Sequence, residues 1–388
     1  MNIIEKDKWN KTKFQDVVIN INKSVKDPLA LGINKSIGLE NINPNNLKIQ
    51  SFTDIEKEGT KFSKLFKKDQ FLFGSRRAYL RQMALADFDG VCTANIMVFD
   101  IKDPNKMIHG YLSMIIQSDL FVDYASRTSV GSLFPNAKWS SLANFNFPLP
   151  PLEEQKQIAS LFQSIETAME QVDGQEKNLK ALKCDLLNNL IGDSQSFGQI
   201  KKDKWRKIKF SDVVKNSNKV ERKPLSVGIT KAIGLANINP CDLKIKSFID
   251  IEKEGTNFSR VFRNGQYLFG ARRAYLKQYA LADFNGVCTA NIMVFDVIDD
   301  NIMLRGFIAL IIQSDVFINY ATGTSVGSLF PNAKWSSLAE FKLKLPELEV
   351  QKVILQVFDQ LETTITQLKK QKTTLKNLKQ KLLNEILG

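Results

Sequence analysis

The stretch LFGSRRAYL at residues 72 to 80 returns as LFGARRAYL at 268 to 276, and the recurrence extends far beyond it. Trp9 reappears as Trp205 and IGLENINP (37 to 44) as IGLANINP (233 to 240), while SVGSLFPNAKWSSLA (129 to 143) reappears unchanged at 325 to 339. All share one offset of 196 residues, with no gap. About two thirds of positions from 7 to 150 agree with their counterparts. A period this long means a duplicated domain, because solenoid units run to about 20 to 50 residues. The 388 residues, 43% of them hydrophobic, are therefore one module made twice, each copy long enough to bury a core.

Each module reads as mixed α and β. QFLFG (70 to 74) and NIMVFD (95 to 100) have strand character, and Gly38, Pro44, Gly59, Gly90 and the Asp-Pro at 103 and 104 mark loops. Leu112, Ile115, Ile116, Leu120 and Phe121 predict one helix over 110 to 125. After FPLPPLEEQ (147 to 155) the apolar positions settle into a 3.5-residue rhythm: Ile158, Phe162, Ile165, Met169, Val172, Leu179, Leu182, Leu186 and Leu190. The second copy repeats it after LPELEVQ, with Ile354, Phe358, Leu361, Ile365, Leu368, Leu375, Leu378, Leu382 and Ile386. Two stripes of matching length predict long helices that pack on each other, with Gln175, Glu176, Gln371 and Lys372 as register-setting interruptions. The expected division is a module at 1 to 150, a helix at 151 to 191, a loop at 192 to 199, a second module at 200 to 346 and a second helix at 347 to 388.

The inventory argues against catalysis in this chain. Its one histidine, His109, aligns with Arg305, so two equivalent modules do not share it as an acid, base or metal ligand. There is no phosphate-binding glycine loop, HExxH, GxSxG or adenine methyltransferase tetrad, and FPNAKW is no substitute for the last. Cys92, Cys184, Cys241 and Cys288 lack CxxC spacing and are expected to be free thiols. DIEKEG (54 to 59, repeated at 250 to 255) alternates acid with lysine, as a solvated turn does. The charged start MNIIEKDKWNKTKF and the lack of any apolar run near 20 residues predict a cytoplasmic protein with no membrane partner.

What the chain carries instead is positive charge beside aromatics. Lysine and arginine outnumber the acids 54 to 41, a net charge of +13 that suits a polyanion. Arg76, Arg77, Tyr79 and Arg81 match Arg272, Arg273, Tyr275 and Lys277, and guanidinium groups in this setting suit phosphates or the O6 and N7 of guanine. Lys138 and Lys334, in the identical FPNAKW loops, are further candidates for DNA binding, whereas Trp139 and Trp335 are expected to anchor the core.

IGLENIN, LFGSRRAYLRQMALADFDGVC, TSVGSLFPNAKWSSLANF and above all PLPPLEEQKQIASLF leading into a long helix resemble the specificity subunits of type I restriction-modification systems, and the resemblance covers the whole chain twice. It implies an α+β fold: two tandem, similar target-recognition domains separated by two long helices that form an antiparallel coiled coil. It also implies a non-catalytic role, in which each domain reads half of a split double-stranded DNA target and the helices set the spacing and dock two methyltransferase (modification) subunits. S-adenosylmethionine would then be bound by those subunits, and ATP and Mg by restriction and translocase subunits. PELEVQ departs from PPLEEQ at Glu347 and Val350. Two other readings stay open, a specificity subunit serving a type II methyltransferase-nuclease and a coiled-coil scaffold that binds RNA or protein.

Overall fold

The computed structural model describes Lys6 and residues 9 to 387; the rest of the charged N-terminal stretch lies outside the described residues, as does Gly388. The chain forms two compact units, one comprising residues up to Asp173 together with Lys370 onward, the other running from Gly174 to Lys369.

In the first unit the strand Phe71–Gly74 is buried on both faces, which explains its unbroken apolar sequence. Alternation sends Phe71 and Phe73 into a core with Phe14, Phe99, Tyr111 and Phe121, and sends Leu72 into a second core with Ile37, Phe66 and Val98. The strand lies in an antiparallel sheet ordered Val18–Ile21, Ile96–Ile101, Phe71–Gly74, Met83–Leu85. A second sheet, ordered Thr53–Asp54, Lys35–Ile37, Gly90–Cys92, Lys64–Phe66, includes a parallel pair at its centre and supplies the other side of the second core. The second unit repeats both sheets, with Tyr267–Gly270 as the doubly buried strand. Each module closes on itself, because Asn10–Lys13 pairs with Asn146–Leu149 and Arg206–Lys209 with Lys342–Leu345. Trp139 and Trp335 pack against the cores, and the buried thiols Cys92 and Cys288 are pushed up to about 12 by desolvation.

The helix expected over 110 to 125 is two helices, His109–Gln117 and Asp119–Arg127. Ser118 breaks it: its backbone is extended, and its hydroxyl accepts from the Phe121 N–H while donating to the Ile115 carbonyl. Apolar periodicity continues across the break and hides it.

The long helices are Leu152–Ile191 and Leu348–Leu387, 40 residues each. Gln155, wholly buried at the first turn, fixes the entry angle: its amide donates to the carbonyls of Lys106 and Pro150, both at 2.8 Å, and its oxygen accepts from the Ile108 N–H. Gln351 repeats these bonds to Ile302, Pro346 and Leu304. The departure at Val350 removes one contact, since Glu154 accepts from the Trp9 indole and valine has no acceptor for Trp205, yet the helix is intact.

Within each unit the two helices run antiparallel. Glu166 and Asp173 of the first unit pair with Lys379 and Lys372, and Lys183 of the second pairs with Glu362. Most expected seam residues are buried or half-buried, but Leu182 and Leu378 face solvent, at 46% and 49% exposure. The next residues, Lys183 and Lys379, turn inward to their carboxylates, and in the final turns burial passes to Leu187 and Leu383, which join the cores of the modules. Of the positions expected to set register, Gln175 and Gln371 are exposed, Glu176 is half-buried and Lys372 pairs with Asp173 of the other helix; Lys183 and Lys379 are further inward polar positions. The loop expected at 192 to 199 is partly ordered as well. Ser196–Phe197 pairs with Ile200–Lys201 around Gly198, whose φ of 57° allows the tight turn, and Phe197 is buried against Phe358.

Leucine at position 155 keeps the volume but leaves two carbonyls and one N–H unpaired. Gln155→Leu should therefore destabilise the protein by about 3 kcal/mol in urea unfolding, and Gln351→Leu by a similar amount. Losses below about 0.5 kcal/mol for both would show that these bonds do not hold helix to module.

Candidate functional site

RRAYL folds as a single 3-10 turn, Ala78–Leu80, flanked by two residues in the left-handed region: Arg77 and Arg81, each with φ 55°. Arg273 (φ 55°) and Lys277 (φ 52°) repeat this. The conformation costs a non-glycine residue about 1 to 2 kcal/mol, so the surrounding structure must enforce it. Hydrogen bonds do so: Leu80 N–H donates to the Arg77 carbonyl and Arg81 N–H to that of Ala78, while Ala78 itself is buried.

A second segment, Ser129 to Lys138, lies alongside. Val130 and Asn136 exchange two hydrogen bonds of 3.0 Å and close a five-residue loop between them. Ala137 N–H donates to the Ser75 carbonyl and Arg77 N–H to that of Pro135, which stitches loop and turn together. Phe134 lies under both guanidinium groups, 4.1 Å from Arg76 and 4.8 Å from Arg77; Phe330 lies equally under Arg272 and Arg273. Stacking occupies a flat face of each of these half-buried groups, and the Nε of Arg273 is buried without a hydrogen-bond partner. Among the described residues no carboxylate forms an ion pair with these four arginines. Tyr79, Tyr275, Lys138 and Lys334 are exposed beside them.

Arg81 and Lys277 are placed differently from the other candidates. Arg81 turns inward to Asp119 and the Gln117 carbonyl, and Lys277 to Asp315. The same carboxylates reach the long helices, with Gln380 donating to Asp119 and Asn188 to Asp315. Each turn is thereby tethered to a helix through one aspartate. The Lys277 ammonium holds the Asp315 carboxyl below its usual range, helped by Cys184 and Asn188 and opposed by partial burial.

Periodicity and composition missed three parts of this site: the tethering aspartates, the apolar loop tips Leu133 and Leu329, and the aromatic floors Phe134 and Phe330. Their signal was the loop identical in both copies. The remaining candidates have structural roles. DIEKEG forms a helical turn, Ile55–Glu58, capped by Asp54, which also pairs with Lys57, and exposed His109 stacks on Phe71. Among the described residues no three His, Cys, Asp or Glu side chains group as metal ligands, and no helix is long and apolar enough to cross a membrane.

A carboxylate whose folded pKa is depressed adds stability above its unfolded pKa, near 4, and loses it as pH falls through the folded value. Asp315→Asn should accordingly cost about 1 kcal/mol at pH 7, and the difference from wild type should vanish in urea unfolding once the pH is below the depressed folded value. A difference that persists there would show that the tether does not depend on ionised Asp315.

The family profile of the type I restriction modification DNA specificity domain matches residues 3–181 and 202–377, one match for each copy. The type I restriction enzyme EcoDI specificity subunit of Escherichia coli is 23% identical over 184 residues, covering 47% of this chain and 40% of that protein. The MjaVIII specificity subunit of Methanocaldococcus jannaschii is 22% identical over 299 residues, 70% of each chain. Among solved structures, a type I R-M system studied for its complex assembly and conformational transition superposes with a TM-score of 0.63 at 18% identity, covering 97% of both chains. The S subunit from M. genitalium superposes with a TM-score of 0.58 at 13% identity, covering 98% of this chain and 96% of that one. With two profile matches that together span most of its length, this chain belongs to the type I restriction-modification DNA specificity family.

Proposed function

We propose that this chain is the non-catalytic address reader of a type I restriction-modification complex, each unit recognising one half of a bipartite duplex DNA target. The observation that carries this is the duplicated clasp in which two arginines, with no ion pair among the described residues, stack on an exposed phenylalanine. Guanidinium edges suit phosphate and guanine, and the surrounding net charge of +13 favours a polyanion. The 40-residue helices are assigned the spacing of the half-sites and the docking of two methyltransferase subunits. Solvent-facing Leu161, Leu182, Val357 and Leu378 supply apolar surface for that docking, and each pair, Leu161 with Val357 and Leu182 with Leu378, is equivalent under the repeat. Methylation with S-adenosylmethionine, and ATP- and Mg-dependent restriction, belong to the partner subunits.

Near-identical readers recognise near-identical half-sites. Between 72 to 100 and 268 to 296 only four positions differ: Ser75/Ala271, Arg81/Lys277, Met83/Tyr279 and Asp89/Asn285. Arg81 and Lys277 both pair inward, so that difference leaves the reading edge alike. With the helices paired in opposite directions, like readers are assigned to opposite strands, and the expected target is an inverted repeat. Co-expression with the modification subunits and mapping of methylated adenines should return such a motif. Two unrelated half-sites would refute the assignment, and duplex binding without sequence selectivity would refute the reader itself.

Arg76 and Arg77 are expected to divide base reading from phosphate contact. Alanine at the base reader, made together with its counterpart Arg272 or Arg273, should relax one position per half-site at a cost of about 1 to 3 kcal/mol per contact; alanine at the phosphate contact should weaken all sequences alike. Salt-titrated binding of the assembled complex to matched and single-mismatch duplexes separates the two effects.

A further inference from the structure

We propose that Leu133 and Leu329 each read the C5-methyl group of a thymine in their half-site. The inference rests on the DNA-reading function proposed above and assigns a chemical partner to side chains that function leaves unused.

Leu133 is 78% exposed and Leu329 76%, the highest values among the large hydrophobic side chains of the described residues. Each projects from an ordered arm. The paired hydrogen bonds of Val130 with Asn136, and of Val326 with Asn332, close the loop at its base. Gly131 and Gly327 hold φ near +105°, a conformation strained for residues with a side chain, and a β-carbon there would come within 3.4 Å of the Phe134 or Phe330 carbonyl oxygen. The leucine is therefore held out in water by design of the loop, twice. A solvated apolar tip is unfavourable unless something apolar meets it.

The immediate neighbours identify what that is. The residue after each leucine is the phenylalanine that carries two guanidinium groups, so an apolar tip and cationic hydrogen-bond donors share one rigid surface. That pairing is the vocabulary of the major groove, where guanine presents acceptors to arginine and thymine presents a methyl group to apolar side chains. The tip is a five-residue loop closed by a single bridge, and the Arg76–Asn136 bridge joins it to the arginine turn.

The test uses the full chain assembled with its modification subunits and duplexes carrying its mapped target, each thymine replaced in turn by deoxyuridine, which lacks only the methyl group. Replacing the contacted thymine in one half-site alone should weaken binding about fourfold, from roughly 0.8 kcal/mol per buried carbon and tenfold per 1.4 kcal/mol. The double variant Leu133→Ala, Leu329→Ala should bind thymine and uracil duplexes alike while retaining selectivity at the arginine-read positions; Leu133→Met with Leu329→Met should restore the preference. A target without thymine overturns the proposal, as does indifference of the wild type to every replacement, or a double variant that keeps the preference. A double variant that no longer assembles with the modification subunits overturns it in favour of a protein partner for the tip. If the wild-type complex shows no sequence-selective binding, the reader function and the thymine contact fall together; selective binding that ignores uracil removes the thymine contact alone.

Discussion

The pairing of one lysine with one glutamate across the two helices, made once in each unit, organises much of the rest. Lys379 meets Glu166 and Gln117 and lies 4.9 Å over the Phe162 ring, while Lys183 meets Glu362 and Gln313. Each lysine thus engages a partner helix and the C-terminal end of a module helix at once. Lys379 and Glu166 are only 14% and 19% exposed, so their attraction has to offset considerable desolvation. An apolar pair would pack as well, but it would carry no hydrogen-bond geometry to Gln117 or Gln313, and a polar pair of this kind acts more on register than on stability.

Much of this was legible in the sequence because it depended on period. The 196-residue repeat exposed the duplication, the 3.5-residue rhythm exposed two helices of equal length, and the doubly buried FLFG strand announced itself as an apolar run. What stayed hidden depended on direction. Leu182 and Leu378 fit the rhythm, but the seam rotates where Lys183 and Lys379 turn inward, and no pattern of apolar spacing reports a rotation caused by a polar partner distant in sequence. Ser118 breaks a helix whose apolar face continues on the other side. Arg81 is the same residue type as Arg76, and only the position of Asp119 separates a tether from an arginine without a carboxylate partner among the described residues. The apolar loop tips were unreadable for a related reason, since a leucine among arginines gives no indication of whether it is buried.

The surface around the arginine turns also shows where stability is spent. Four non-glycine residues per chain hold left-handed backbone at the two turns, and the Asn136 and Asn332 side-chain oxygens are buried at the loop bases without a hydrogen-bond partner. Each is unfavourable by an amount on the order of 1 to 3 kcal/mol. Both sets sit beside the arginines, which accords with strain concentrating where side-chain direction matters more than stability.

The composition of the first unit has a consequence for the order of events at the ribosome. Leu383, Ile386 and Leu387 belong to the same core as Trp9, Phe14 and Phe147, so the earlier module is completed by residues that follow the whole of the second one. Its nascent form must wait with part of its apolar surface uncovered until the second module has been made, whereas the second unit is contiguous in sequence and can close as it emerges. A stop ahead of Leu383 therefore uncovers part of the N-terminal module's core, far from the site of the change in sequence.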